Sequence, residues 1–211
     1  MPDLGTILEE ELTWREAELA SLKLLVLDSP RGSVRELSLL RALWIMLYAH
    51  YEGFCKFAWD FYLENVERVG VAREVCCVPI ARFSLAKRFS EVRGDTSVES
   101  LWSVCTTHFG EWMKEQLGFE IHLETKSNLW PNLLKENSAA VDLPFAMVDK
   151  NELKLKALVS RRNDIAHGKK MVVATLEDYK PYEDAALLVM HELAVAVLDC
   201  LERKTYLKPP V

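Results

Sequence analysis

From Leu39 onward apolar residues recur at alternating steps of four and three, and Leu40, Trp44, Leu47, Tyr51, Phe54, Ala58 and Phe61 form one stripe over about six helical turns. Gly70 is placed to stop this long helix. Its other face carries Glu52, Lys56 and Asp60 at steps of four, a spacing that usually means solvated ion pairs worth only a few tenths of a kcal/mol each. Trp14 to Leu27 is helical in composition and belongs to an N-terminal helix expected over 6–28. Pro30-Arg31-Gly32-Ser33 then turns the chain. Together these segments predict a long antiparallel helical hairpin.

Further along, a short basic helix is expected from Ala81 to Val92, after Pro79. Thr96 followed by Glu99 reads as a capping box that opens another helix, which Gly110 and Gly118 interrupt. The stretch 118–147 mixes β-tolerant residues with Pro, several Asn and Ser127-Asn128-Leu129-Trp130. It is expected to be an irregular insertion holding at most one short helix. Asp149 with Glu152 is read as the cap of the next helix, and Gly168 as its stop. Thr175 with Asp178 starts the last helix, whose apolar face is Leu187, Met190, Leu193, Ala194, Val197 and Leu201. No repeat or strand-rich region is present, so the fold class is all-α: a bundle of four to five main helices with an irregular insertion.

Composition narrows the function. The chain has 211 residues, half of them hydrophobic, which suits one domain with embellishments and a core at about 35–205. A net charge of −6 argues against a general nucleic-acid coat or a membrane-surface protein. Between Lys150 and Lys170 the balance reverses: Lys150, Lys154, Lys156, Arg161, Arg162, Lys169 and Lys170 face only Glu152 and Asp164. The N-terminal residues lack the basic and apolar regions of a signal peptide, and the apolar run Ala42 to Ala49 is too short to span a bilayer. Cys55, Cys76, Cys77, Cys105 and Cys200 are odd in number and lack a disulfide-framework spacing, which suits a reducing cytoplasm. A soluble cytoplasmic protein, with no membrane partner, is therefore expected.

The chemistry-bearing candidate lies inside the basic segment, at Arg161-Arg162-Asn163-Asp164-Ile165-Ala166-His167-Gly168. Leu155, Leu158, Val159, Arg162, Ile165 and Ala166 follow helical spacing, which sets Arg162 on a core-facing stripe where an unpaired charge is expensive. On an ideal helix Arg162 and His167 lie about 140° apart, whereas Asn163 and His167 share a face. A helix ending at His167 frees its imidazole to turn toward a cleft within reach of Arg162. The bland alternative is a histidine at a helix C-terminus, favoured by the macrodipole, and arginines snorkelling from the core. As chemistry, arginine with histidine suits phosphate: one grips its oxygens and the other moves protons near neutral pH. RNA fits best, because its 2′-hydroxyl is an internal nucleophile and no cofactor or metal is then required. Cys76, Cys77, Cys105 and His108 make a poor zinc set, since an adjacent pair plus C-x-x-H departs from structural-zinc spacing. Trp102, Trp112 and Trp130 could stack on bases, but aromatics in a helical bundle are more often core.

The Arg-x4-His arrangement of Arg162 to His167, following a helical hairpin and preceding a final helix, resembles the HEPN superfamily of ribonucleases. Three segments, Leu47-Tyr48-Ala49-His50-Tyr51-Glu52-Gly53-Phe54, Thr125-Lys126-Ser127-Asn128-Leu129 and Arg162 to Gly168, resemble its RiboL-PSP-like branch, a likeness spanning roughly residues 35 to 200. The resemblance implies a homodimer with a composite cleft and metal-independent endoribonuclease activity leaving 2′,3′-cyclic phosphate and 5′-hydroxyl ends. It further implies a toxin or antiviral, abortive-infection role, with an antitoxin or companion defence protein. In these terms Arg162 stabilises the reacting phosphate, His167 takes part in proton transfer or orients the 2′-hydroxyl, Asn163 positions the motif and Glu52 is a candidate polar partner of the arginine. Arg161 is the alternative arginine, and Lys169 and Lys170 are candidate substrate contacts. Many toxin members carry tyrosine two places after the histidine, where this chain has Lys169, so no tyrosine role carries over. The rival is a non-catalytic HEPN adaptor that docks a companion protein.

Overall fold

The computed structural model describes residues 3–170, 173 and 175–209. The chain is all-α, with short connections, one 3-10 turn at Arg73–Val75 and no strands among the described residues beyond the isolated antiparallel bridges Ala72↔Gln116 and Cys76↔Leu207. It divides into two compact units, each drawn from three separate segments: residues 1–58, 125–135 and 145–196, and residues 59–124, 136–144 and 197–211.

The first unit is built on the expected hairpin. Helix α1 (Leu4–Leu27) leads through a turn at Gly32, whose φ of 71° suits a residue without Cβ, into α2 (Val34–Arg68). The predicted stripe is buried in α2: Leu40, Trp44, Leu47, Tyr51, Phe54 and Ala58 have no exposed surface, and Phe61 is half-buried. A second row, Leu43, Tyr48, Cys55, Trp59, Tyr62 and Val66, is buried as well, so α2 is covered on well over one face. The polar row departs from its expected pairing. Among the described residues Glu52 and Asp60 turn to Tyr48 and His122 and form no ion pair with Lys56.

Helix α8 (Met147–Ala166) and the N-terminal part of α9 (Leu176–Arg203) complete this unit. The indole Nε1–H of the fully buried Trp44 donates to the Leu158 carbonyl at 3.1 Å, which ties α2 to α8 one turn before the arginines. The expected Asp149/Glu152 cap is not used, since α8 begins earlier, at Met147. Its free N–H groups are taken by the Glu192 carboxylate of α9, at 3.3 Å from Ala146 N and 2.7 Å from Met147 N. Asp149 and Glu152 bind Lys135 instead. The Thr175 cap of α9 is formed as expected, with Asp178 N–H donating to its hydroxyl at 3.1 Å.

In the second unit the chain after α2 stops at Gly70, with φ of 72°, and continues as α3 (Val78–Ser84) and α4 (Ala86–Gly94), where one helix was expected. Helix α5 (Val98–Ser103) is capped by Ser97, one residue past the predicted Thr96, and runs through a π-helical segment (Val104–His108) into α6 (Phe109–Lys114). Gly110 sits inside α6 and does not break it. Arg73 is the polar centre of this unit: buried, it donates to Ser84 Oγ, the Trp112 carbonyl and Glu115 at 3.0–3.1 Å.

The stretch expected as an irregular insertion contributes to the core of both units. Leu129 and Leu134 are fully buried in the first and Val141 in the second, while Pro131–Ala140 forms the one helix there, α7.

Candidate functional site

The Arg161–Gly168 segment closes α8 as the sequence predicts. His167 N–H donates to the Asn163 carbonyl, Gly168 N–H to Ile165 and Lys169 N–H to Asp164, at 2.9–3.0 Å. With Gly168 at φ of 75°, these contacts make a Schellman stop, which satisfies the last carbonyls through a left-handed residue. His167 is thereby fixed as the last residue before the turn. Its exposed imidazole makes no hydrogen bond, ion pair or ring contact among the described residues.

Arg162 is half-buried and held from three sides. Its Nη1 donates to Asn128 Oδ1 at 3.0 Å and to Asn163 Oδ1 at 2.9 Å, and its guanidinium lies 4.6 Å from the centre of the Tyr48 ring. No carboxylate pairs with it among the described residues. Tyr48 is itself locked: its hydroxyl accepts the Leu129 N–H at 2.9 Å and donates to Glu52, and burial pushes its pKa up to about 12, so the phenol stays protonated. Glu52 therefore meets the arginine through Tyr48 rather than as a direct ion-pair partner. The result is a cation held in place by a ring face and two neutral carboxamides, with its positive charge uncompensated.

Arg161, on the neighbouring face of α8, lies 4.9 Å from the ring centres of both Trp44 and Tyr182. Lys169 is neutralised by Asp164 at 2.7 Å, and its carbonyl accepts from Arg41 at 3.1 Å. Lys170 is exposed. The first unit thus brings Arg161, Arg162, Asn163 and Glu52 into one region.

Sequence reasoning assigned no role to Tyr48, Asn128, Trp44 or Tyr182. Tyr48 and Asn128 lie within the segments that carried the resemblance, which was the available signal. Nothing in the spacing of Trp44 and Tyr182 separates them from core aromatics.

The other constellations do not assemble. Cys76 is buried, Cys105 and His108 are exposed, and no group of three or more His, Cys, Asp or Glu is arranged to hold a metal ion among the described residues. Cys55, Cys76, Cys77 and Cys200 all have thiol pKa values raised by burial, which leaves them protonated near neutral pH. Trp102 stands on the surface, and Trp112 stacks beside His108 with Arg88 over its ring. No helix among the described residues is long and apolar enough to cross a membrane.

No curated protein and no solved structure matches the chain. The model of one family, described as HEPN_MAE_28990-like HEPN, matches residues 4–206, which takes in both units and every residue of the Arg162 site. The match, over an all-α chain built on a long hairpin, shows that the protein belongs to the HEPN_MAE_28990-like HEPN family.

Proposed function

We propose that the protein is a metal-independent endoribonuclease that cuts RNA to 2′,3′-cyclic phosphate and 5′-hydroxyl ends. The observation that carries this reading is the state of Arg162. A half-buried guanidinium is held by Tyr48, Asn128 and Asn163 with no carboxylate to neutralise it among the described residues, five residues before an exposed histidine. A half-buried charge with no acid beside it among the described residues is well placed to take an anionic ligand, and a phosphate matches its forked donors. In the reaction the 2′-hydroxyl oxygen attacks the adjacent phosphorus and the 5′-oxygen leaves. Arg162 stabilises the charge that develops on the phosphoryl oxygens. His167 exchanges protons with the attacking or leaving oxygen, and Asn163 and Tyr48 hold the arginine.

The protein acts as a homodimer whose two motifs share one cleft, in the cytoplasm, as a toxin or antiviral effector restrained or released by an antitoxin or companion protein. The closer likeness to the RiboL-PSP-like branch belongs to the same proposal and rests on the Tyr51-Glu52-Gly53-Phe54 and Thr125 to Leu129 segments. The test is cleavage of total RNA in EDTA by wild type, Arg162→Ala and His167→Ala, with the product ends analysed. Metal-free cleavage that is lost in both folded variants supports the reading, and a His167→Ala protein as active as wild type refutes it.

A non-catalytic adaptor is the alternative. The exposed row Val98, Leu101, Trp102 and Phe109 on α5 and α6 favours it as a surface for a companion protein. Folded wild type that leaves RNA intact while losing a companion when Trp102 is replaced by Glu would select this alternative.

A further inference from the structure

Arg161 is unlike several other basic side chains of the first unit. Lys135 and Lys156 are paired with Glu152, Lys169 with Asp164 and Arg15 with Glu11. Arg161 is half-buried against the Trp44 and Tyr182 rings, which also touch each other, with centres 4.8 Å apart, and no hydrogen bond or carboxylate meets its five N–H donors among the described residues. Ring contacts attract a guanidinium without accepting its N–H donors, which are left for an anion.

Its position relative to Arg162 gives that anion an identity. Trp44 and Tyr48 are four residues apart on α2, about one helical turn along it. Arg161 lies over the first ring and Arg162 over the second. Two guanidiniums held over two different rings of α2 match consecutive phosphates along a single strand better than two oxygens of one phosphate. Trp44 is fully buried and unavailable to a base, which leaves the backbone as the feature recognised. We propose that Arg161 binds the phosphate next to the one gripped by Arg162, so that the preferred substrate is an oligoribonucleotide with at least two consecutive phosphodiesters. This rests on the nuclease reading of the Arg162 site.

The experiment compares a dinucleoside monophosphate with a trinucleoside diphosphate in which one linkage is cleavable and the other is blocked by 2′-O-methylation, on either side in turn. Wild type should favour the longer substrate with the block on one side, and Arg161→Ala should reduce the ratio of the two kcat/KM values about tenfold. Arg161→Lys should recover part of it, and Tyr182→Leu should lower it in the same direction. An equal loss on both substrates, or no loss on either, overturns the proposal and leaves the nuclease reading intact. A fully 2′-O-methylated oligonucleotide, bound across a salt series, separates the two ideas. If wild type cuts nothing yet binds it, and Arg161→Ala lowers the salt slope by about 0.7, the second-phosphate site stands and the nuclease reading falls. Identical slopes, or no binding by wild type, overturn the inference.

Discussion

Arg73, buried, and Arg162, half-buried, both hold a guanidinium against the fold, yet their surroundings differ in kind. Arg73 in the second unit has Glu115 as counter-charge and Ser84 and the Trp112 carbonyl as acceptors, so its charge is compensated within the fold. Arg162 in the first unit has a ring face and two carboxamide oxygens, which fix its direction without cancelling its charge. The first arrangement is what a structural arginine requires. The second leaves electrostatic work undone, and that separates a poised group from a snorkelling one.

The largest effect that can break this contrast is on catalysis. Arg162→Ala should lower RNA cleavage by at least about a hundredfold while leaving the melting temperature close to wild type. Arg73→Ala should do the reverse: about 2 kcal/mol of stability is lost because Ser84 and Trp112 keep buried groups without their partner, and folded protein keeps its activity. Urea melts and cleavage rates on the same preparations check both. If Arg162→Ala were the more destabilising of the two, the poised reading would fail.

Next comes the support of the arginine. Tyr48→Phe keeps the ring face but strips the acceptor from the buried Leu129 N–H, at a cost of about 1–2 kcal/mol. Cleavage should fall with it, because Asn128 follows the loop it anchors, and Asn128→Ala should reproduce the activity loss at a smaller stability cost. An active Asn128→Ala would show that Asn163 alone positions Arg162.

The histidine depends on a backbone device. Gly168→Ala forces a Cβ into the left-handed region, at a cost of about 1 kcal/mol, and should disturb His167 as the turn relaxes. The contrast is Gly53→Ala, inside α2. Its new Cβ would lie 3.9 Å from Arg15 Nη2, an ordinary contact, and helix propensity favours the change by up to about 1 kcal/mol. Differential scanning calorimetry should find the two substitutions opposite in sign.

The smallest effect concerns a third arginine, Arg15, stacked on Trp14 and Phe54 and paired with Glu11. Beside it His50 is buried, and its pKa is lowered, mainly by burial, with Arg15 adding to the shift and Glu18 opposing it. A histidine whose folded pKa lies below its unfolded value favours the folded state most when neutral. Stability should therefore be full above about pH 6.5 and decline as pH falls below it. His50→Gln should flatten that part of the profile, and an unchanged slope would reject the assignment.

The helical hairpin, the stripe of α2, the stops at Gly32, Gly70 and Gly168 and the Thr175 cap were legible along the chain, because each depends on residues within a few positions of one another. The site was half legible. Arg162 and His167 could be named from a motif, and the resemblance pointed to the segments holding Tyr48 and Asn128 without giving them a task. The Asp149 cap and the break at Gly110 were misread, because neither was decided by the residues next to it. Glu192 displaced a local cap and α6 ran on through Gly110, while buried Leu129 and Leu134 tie the irregular stretch into the core.

Local spacing and capping thus determined that this chain is an all-α protein with an arginine and a histidine at the end of a helix. Whether those charges are compensated is a long-range question. Asn128 lies 34 positions from Arg162, and Trp44 lies 114 positions from the Leu158 carbonyl that fixes α8 against α2. Only tertiary packing could decide that Arg161 and Arg162 meet rings and amides and, among the described residues, no carboxylates, since electrostatic energy depends on distance in space and not along the chain.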